Sequence, residues 1–142
     1  MGLAGLRLGF LVGAPQWLGE REKMRLPYNI NSLTQAAAEF AMRHGDVLTE
    51  QSRLLVAQRQ RLFDALSAMP GLKVWPSEAN FILVRCLDRQ APEVHQALKQ
   101  RGILIKCLHG AHPALDQCLR LTVGTPEEMS ALLTALSEEL TG

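Results

Sequence analysis

The segment Leu119-Arg120-Leu121-Thr122-Val123 does most to limit the architectures open to this chain. Its apolar residues fall at every second position, so a strand here sends Leu119, Leu121 and Val123 to one face and Arg120 with Thr122 to the other. A sheet of such strands is covered on one side only. Parallel sheets with helices on both faces need continuously apolar strands, which this is not. Directly afterwards, Thr125-Pro126-Glu127-Glu128 places a hydroxyl at a helix cap, proline at the first helical position and glutamate three residues beyond the cap. The stripe that follows is Met129, Leu132, Leu133, Leu136 and Leu140.

The chain changes character near residue 70. Before it, Leu8, Phe10, Leu11 and Val12, closed by Gly13-Ala14-Pro15, predict a short buried strand. Trp17 to Lys23 reads as a short polar helix or turn, and Arg25 to Asn31 as a connector. Asn31 or Ser32 can cap a helix carrying Leu33, Ala36, Ala37, Phe40 and Ala41, which Gly45-Asp46 breaks. A long helix follows from Val47 to Met69, with Leu48, Leu55, Leu62, Leu66 and Met69 on one stripe and Arg53, Arg59 and Arg61 on a solvated face. Pro70-Gly71 ends it. Thereafter Leu72 to Trp75, Asn80 to Arg85, Ile103 to Cys107 and Cys118 to Val123 read as strands. Pro92 to Arg101 reads as a helix that Gly102 ends in a left-handed turn. The pattern is a small α+β unit, an antiparallel-rich sheet with helices on one face and the other face free.

With 142 residues, 47% of them hydrophobic, the chain can bury the core of a single domain. A formal net charge of +1 offers no bulk attraction for nucleic acid or an anionic membrane. No apolar stretch is long enough to span a bilayer, and the first residues lack the order of a signal peptide, so a cytoplasmic location is expected. Cys86, Cys107 and Cys118 are odd in number and show no metal or redox spacing, which reads as reduced thiols. His109-Gly110-Ala111-His112 fits no standard zinc pattern and reads as a loop, so no metal is expected. Trp17 and Trp75 read as core or rim aromatics, and Asn80 as a residue satisfying backbone groups at a strand start. Tyr28 and Asn29 could shape a turn or approach a ligand.

Two arginines stand out. Arg7 lies in Gly2-Leu3-Ala4-Gly5-Leu6-Arg7-Leu8-Gly9, where the glycines allow close backbone approach and leave the side chain room to reach a ligand. On spacing alone the plainer reading is a solvated charge in an N-terminal turn. Arg120 is fixed on a strand and so has a determined direction, and its guanidinium suits a carboxylate or phosphate; a surface ion pair is the plainer reading.

Taken together, Gly2 to Gly9, Leu26-Pro27-Tyr28-Asn29-Ile30-Asn31, Ala79-Asn80-Phe81-Ile82-Leu83 and Leu119-Arg120-Leu121-Thr122-Val123-Gly124-Thr125 resemble, in that order, the C-terminal part of the histidinol-phosphate aminotransferases. Those are pyridoxal-phosphate enzymes of the aspartate-aminotransferase fold, an α/β fold of type I. The resemblance implies that residues 1–28 end the large cofactor-binding domain, 29–69 are connecting helices including a long interdomain helix, and 70–142 form the small C-terminal domain. It implies that Arg7 contacts the cofactor phosphate and that Arg120 holds the anionic group of the substrate. Lys106 stands where many members carry a second substrate-facing arginine. The family's Schiff-base lysine falls just ahead of the glycine-rich segment, and none of Lys23, Lys73, Lys99 or Lys106 matches it, so the resemblance implies an inactive isolated chain whose lysine lies upstream of Met1. The implied reaction of the parent enzyme converts histidinol phosphate and 2-oxoglutarate to imidazole acetol phosphate and glutamate, in histidine biosynthesis, by a homodimer. A threonine-phosphate decarboxylase shares fold and substrate class, and a non-catalytic module binding an anion or a protein is the alternative of another kind. If most of a dimer interface is missing, apolar surface should remain exposed on the first strand and on the Leu33 to Phe40 helix.

Overall fold

The computed structural model describes residues 4–141, which fall into two compact units, one running up to Ser52 and the other from Arg53 onward. Gly2 and Leu3, the start of the glycine-spaced segment, lie outside the described residues.

The first unit is helical. A 3-10 turn at Ala4–Leu6 lies against α2, and α1 is Pro15–Glu22, opened by the proline at its first position. Helix α2 is Ser32–Arg43, and Asn31 caps it by accepting a hydrogen bond from the Thr34 amide at 2.8 Å. The break before α3 (Gly45–Ser67) falls at His44 alone, and Gly45 and Asp46 are inside the new helix. Asp46 suits that place, because a carboxylate in a first turn opposes the helix dipole favourably.

No strand forms over Leu8–Val12, where the sequence predicted one. A buried strand needs neighbours for its amides, and the described strands pair only with one another, between residues 72 and 122. Phe10, Leu11 and Val12 are accordingly exposed, and so are Leu33 and Phe40 on α2, none of whose residues is buried. The apolar surface expected on these two segments is therefore present.

The second unit holds the core. Strands β1 (Leu72–Val74), β2 (Phe81–Cys86), β3 (Lys106–Cys107) and β4 (Cys118–Thr122) form one antiparallel sheet in the order β1-β2-β4-β3. The register sets Ile82 opposite Leu121 and Val84 opposite Leu119, so one face of the central pair is wholly apolar. Onto it pack Leu62 and Leu66 of α3, Val94 and Leu98 of α4 (Ala91–Gln100), and Met129, Leu132 and Leu136 of α5 (Pro126–Thr141). Helix α5 opens as its sequence requires: the Thr125 amide donates to Glu128 Oε2 at 2.8 Å and the Glu128 amide to Thr125 Oγ1 at 3.3 Å. A Cβ at Gly124 would sit 2.2 Å from that glutamate oxygen, so a larger residue there requires the Glu128 side chain to move and disturbs the cap. Gly102 ends α4 at φ +77°, and the Ile103 amide returns to the Leu98 carbonyl.

Three expectations are corrected. The third strand is two residues long, because the chain from Gly102 to Ile105 is still leaving that helix end, and only Lys106 and Cys107 come into register with β4. Arg59 is not solvated: its side chain is 16% exposed and donates to Glu78 Oε2 at 3.0 Å and to the Ala79 carbonyl at 3.2 Å, bracing the approach to β2. Asn80 joins the sheet through its carbonyl, which accepts from the Val123 amide, rather than through its side chain.

Burial, followed by the nearby Cys107 and Cys118, pushes the Cys86 thiol up to about 11. Its neutral form is thus favoured by folding, and this stabilisation holds below pH 9.0 and is lost as pH rises towards 11. Alkylation of the native chain near pH 8 should modify half-buried Cys107 before Cys86 and Cys118, which mass spectrometry of peptides would read. Leu66→Ala should cost about 2–5 kcal/mol and Thr125→Ala about 1 kcal/mol in urea unfolding, the first through a cavity and the second through the lost cap.

Candidate functional site

The sheet face turned away from the helices carries most of the candidate chemistry. Arg120 stands on β4 opposite Leu83 on one side and Lys106 on the other, so the two cations proposed from the sequence are cross-strand neighbours. Both are exposed. Like charges placed directly opposite in a sheet repel, and an anion between them removes that cost. Ion pairs of this unit include Arg59 with Glu78, Arg101 with Glu138 and Glu139, and His109 with Asp116. Among the described residues, none of these involves Arg120 or Lys106. What does contact Arg120 is aromatic: its Cζ lies 5.3 Å from the centroid of Phe81.

Sequence reasoning missed the remainder of this face. The register puts Lys73 opposite Arg85, and Trp75 follows on the same side. Lys73 Nζ and Arg85 Cζ approach the Trp75 ring at 5.1 and 5.4 Å, so this tryptophan carries cations as well as filling a rim. Arg85 also donates through Nη2 to the Ala114 carbonyl at 2.7 Å, which ties the loop between β3 and β4 back to the sheet. Phe81-Ile82-Leu83-Val84-Arg85 gives no alternation of polarity, and that is why its outward residues were not legible. The signal that existed was the absence of any acidic residue in the four strands.

The same loop has its own order. His109 Nδ1 lies 2.6 Å from Asp116 Oδ1, while His112 Nδ1 accepts from the Ala114 amide at 3.1 Å. The two histidines thus serve separate partners. Gln117 adopts φ +56°, and its side chain accepts from the Ala91 amide at 2.8 Å, holding the start of α4. Among the described residues no group of three or more metal-ligating side chains converges, and no helix is long and apolar enough to cross a membrane.

Arg7 belongs to the first unit. It is exposed, takes φ +54°, and has no carboxylate partner among the described residues. Left-handed backbone is costly for a residue with a Cβ, and such strain concentrates at ligand sites. Gly5 and Gly9 have open space beside them. Tyr28, fully exposed at φ +59°, is the other strained residue of this unit.

This arrangement of a small antiparallel sheet, helices on one face and cations on the other has known relatives. The sequence profile described as aminotransferase class I and II matches residues 1–136. The chain belongs to that family. A histidinol-phosphate aminotransferase of Chromobacterium violaceum is 54% identical over 136 residues, spanning 96% of this chain and 38% of the relative. The structure of histidinol-phosphate aminotransferase from Sinorhizobium meliloti in complex with pyridoxal-5'-phosphate aligns over 99% of this chain and 38% of its own, at 30% identity and a TM-score of 0.74. The L-threonine-O-3-phosphate decarboxylase of Porphyromonas gingivalis shares the fold, with a TM-score of 0.78 at 23% identity over 92% of this chain and 41% of its own.

If the paired cations are an anion site, inorganic phosphate should stabilise the chain. Saturation to about ten times the dissociation constant should add about 1.4 kcal/mol, seen as a rise in thermal midpoint. Lys106→Gln combined with Arg120→Gln should abolish that rise; its persistence would place the phosphate elsewhere.

Proposed function

We propose that this chain is the C-terminal portion of a pyridoxal-phosphate-dependent histidinol-phosphate aminotransferase, which converts histidinol phosphate and 2-oxoglutarate to imidazole acetol phosphate and glutamate. The observation that carries the reading is the Lys106–Arg120 pair, two adjacent exposed cations without a carboxylate partner among the described residues, in a chain 54% identical to an enzyme of that name. In this reading residues 1–28 end the cofactor-binding domain, 29–69 connect, and 70–142 form the small domain.

Arg7 fits the cofactor phosphate, because its guanidinium is exposed and unpaired among the described residues and so can offer several N–H donors to an anion. When bound, pyridoxal phosphate supplies the electron sink for removing the α-proton of the amino substrate. Arg120 binds the substrate's phosphate or carboxylate through paired N–H groups, and its strand position fixes the direction of approach. Lys106 adds a point charge with a flexible stem, which tolerates the exchange of a phosphorylated amine for glutamate better than a second rigid fork would. Holding both substrates by their anions brings the amine to one place in each half-reaction. The lysine for imine exchange is assigned outside this chain, in the remainder of the relatives' length.

The apolar surface of the first unit, including Phe10, Leu33 and Phe40, supports a homodimer in which the rest of the polypeptide and a second copy cover it. The unpaired cysteines, two of them buried, support a reducing compartment such as the cytoplasm.

The complete polypeptide carrying this chain should form glutamate from 2-oxoglutarate in the presence of histidinol phosphate, whereas the 142-residue chain alone should not. Release of carbon dioxide from threonine phosphate, with no glutamate formed, would instead establish the decarboxylase. In the complete enzyme, Arg120→Gln should raise KM for histidinol phosphate by about ten- to a hundred-fold, the range for losing charge-assisted hydrogen bonds.

A further inference from the structure

The strand fixes the face from which Arg120 projects, but not the orientation of its guanidinium. A long, exposed arginine with no carboxylate partner among the described residues ordinarily samples many rotamers, and binding an anion then carries the cost of ordering it. Here the guanidinium carbon lies 5.3 Å from the Phe81 ring centroid. Phe81 pairs with Thr122 and Leu83 with Arg120, so the arginine leans diagonally across β2 to reach the ring, within the range such pairs allow. The backbone leading into Phe81 is itself held. The Val123 amide donates to the Asn80 carbonyl one residue before it, Arg59 donates to the Ala79 carbonyl two before it, and the Ala79 amide donates to Ser77 Oγ at 3.0 Å.

We propose that Phe81 is a positioning residue. It holds the Arg120 guanidinium by its π face in one orientation before the substrate anion arrives, and so sets the affinity of the site for anionic substrates without contacting the reacting atoms. The inference rests on Arg120 being the substrate-anion ligand proposed above. An aromatic ring attracts the guanidinium without using any of its N–H donors as a carboxylate would, so those donors stay available for an anion. Lys106, the neighbour on the other flank, lacks a planar cation and repels Arg120, so the aromatic side is the one that can retain it.

The test uses the complete pyridoxal-phosphate-loaded enzyme with Phe81→Leu, Phe81→Tyr, Arg120→Gln and the Phe81→Leu/Arg120→Gln double variant. Phe81→Leu should raise KM for histidinol phosphate and for glutamate by about two- to five-fold with kcat nearly unchanged, the scale of an exposed cation–π contact. Phe81→Tyr should retain the parent KM. In the Arg120→Gln background Phe81→Leu should have no further effect, because the contact is already gone. An equal KM rise from Phe81→Leu in both backgrounds, or an unchanged KM where Arg120→Gln is impaired, would overturn the positioning role alone. A parent-like KM in Arg120→Gln would overturn both that role and the assignment of Arg120. Should the leucine variant fail to fold by circular dichroism, Phe81→Met carries the same predictions.

Discussion

Five residue pairs between β2 and β4, from Phe81 with Thr122 to Arg85 with Cys118, determine nearly everything else in the second unit. Because side chains alternate, this one register sends Ile82, Val84, Leu119 and Leu121 to the helices and leaves Leu83, Arg120 and Thr122 on the opposite side. A slip of one residue would bury the arginine and expose the leucines. The cost of that exchange, several buried leucine-sized side chains against an unpaired buried charge, is far larger than the stability of a small domain. The direction of Arg120 is thus secured by the hydrophobic face it does not share.

The fold of this unit was readable because its signals agree at several levels. Alternation over Leu119–Val123, the cap at Thr125 with Glu128, and the glycine ending α4 each specify one local geometry, and the core then requires all three together. The first unit was less readable for a physical reason. Leu8–Val12 has the composition of a buried strand, and α2 has an apolar stripe at Leu33 and Phe40, yet burial depends on neighbours, and these residues are exposed. Local propensity states what a segment suits; it does not supply the surface that covers it.

The candidate site was legible in its charges and obscure in its support. Arg120 and Lys106 could be singled out from alternation and from family resemblance, and the register places them side by side. Phe81, Trp75 and Arg85 could not, since Phe81-Ile82-Leu83-Val84 is apolar without alternation and does not show which of its residues face outward. Arg59 was hidden in the same way, because a charge on a helix surface reads as solvated until its carbonyl partner at Ala79 is known. Contacts made through π faces and backbone oxygens leave little trace in a sequence.

The proposed role requires a substrate anion to occupy Arg120 and Lys106, which have no carboxylate partner among the described residues. A crystal structure of the complete polypeptide with pyridoxal phosphate and histidinol phosphate bound would examine this most directly. The predicted result has both N–H edges of the Arg120 guanidinium on the phosphate at about 2.7–2.9 Å, Lys106 beside it, and the ring of Phe81 still beneath the arginine. An Arg120 closed into an ion pair with a carboxylate from elsewhere in the polypeptide, with the substrate anion bound by other residues, would contradict it.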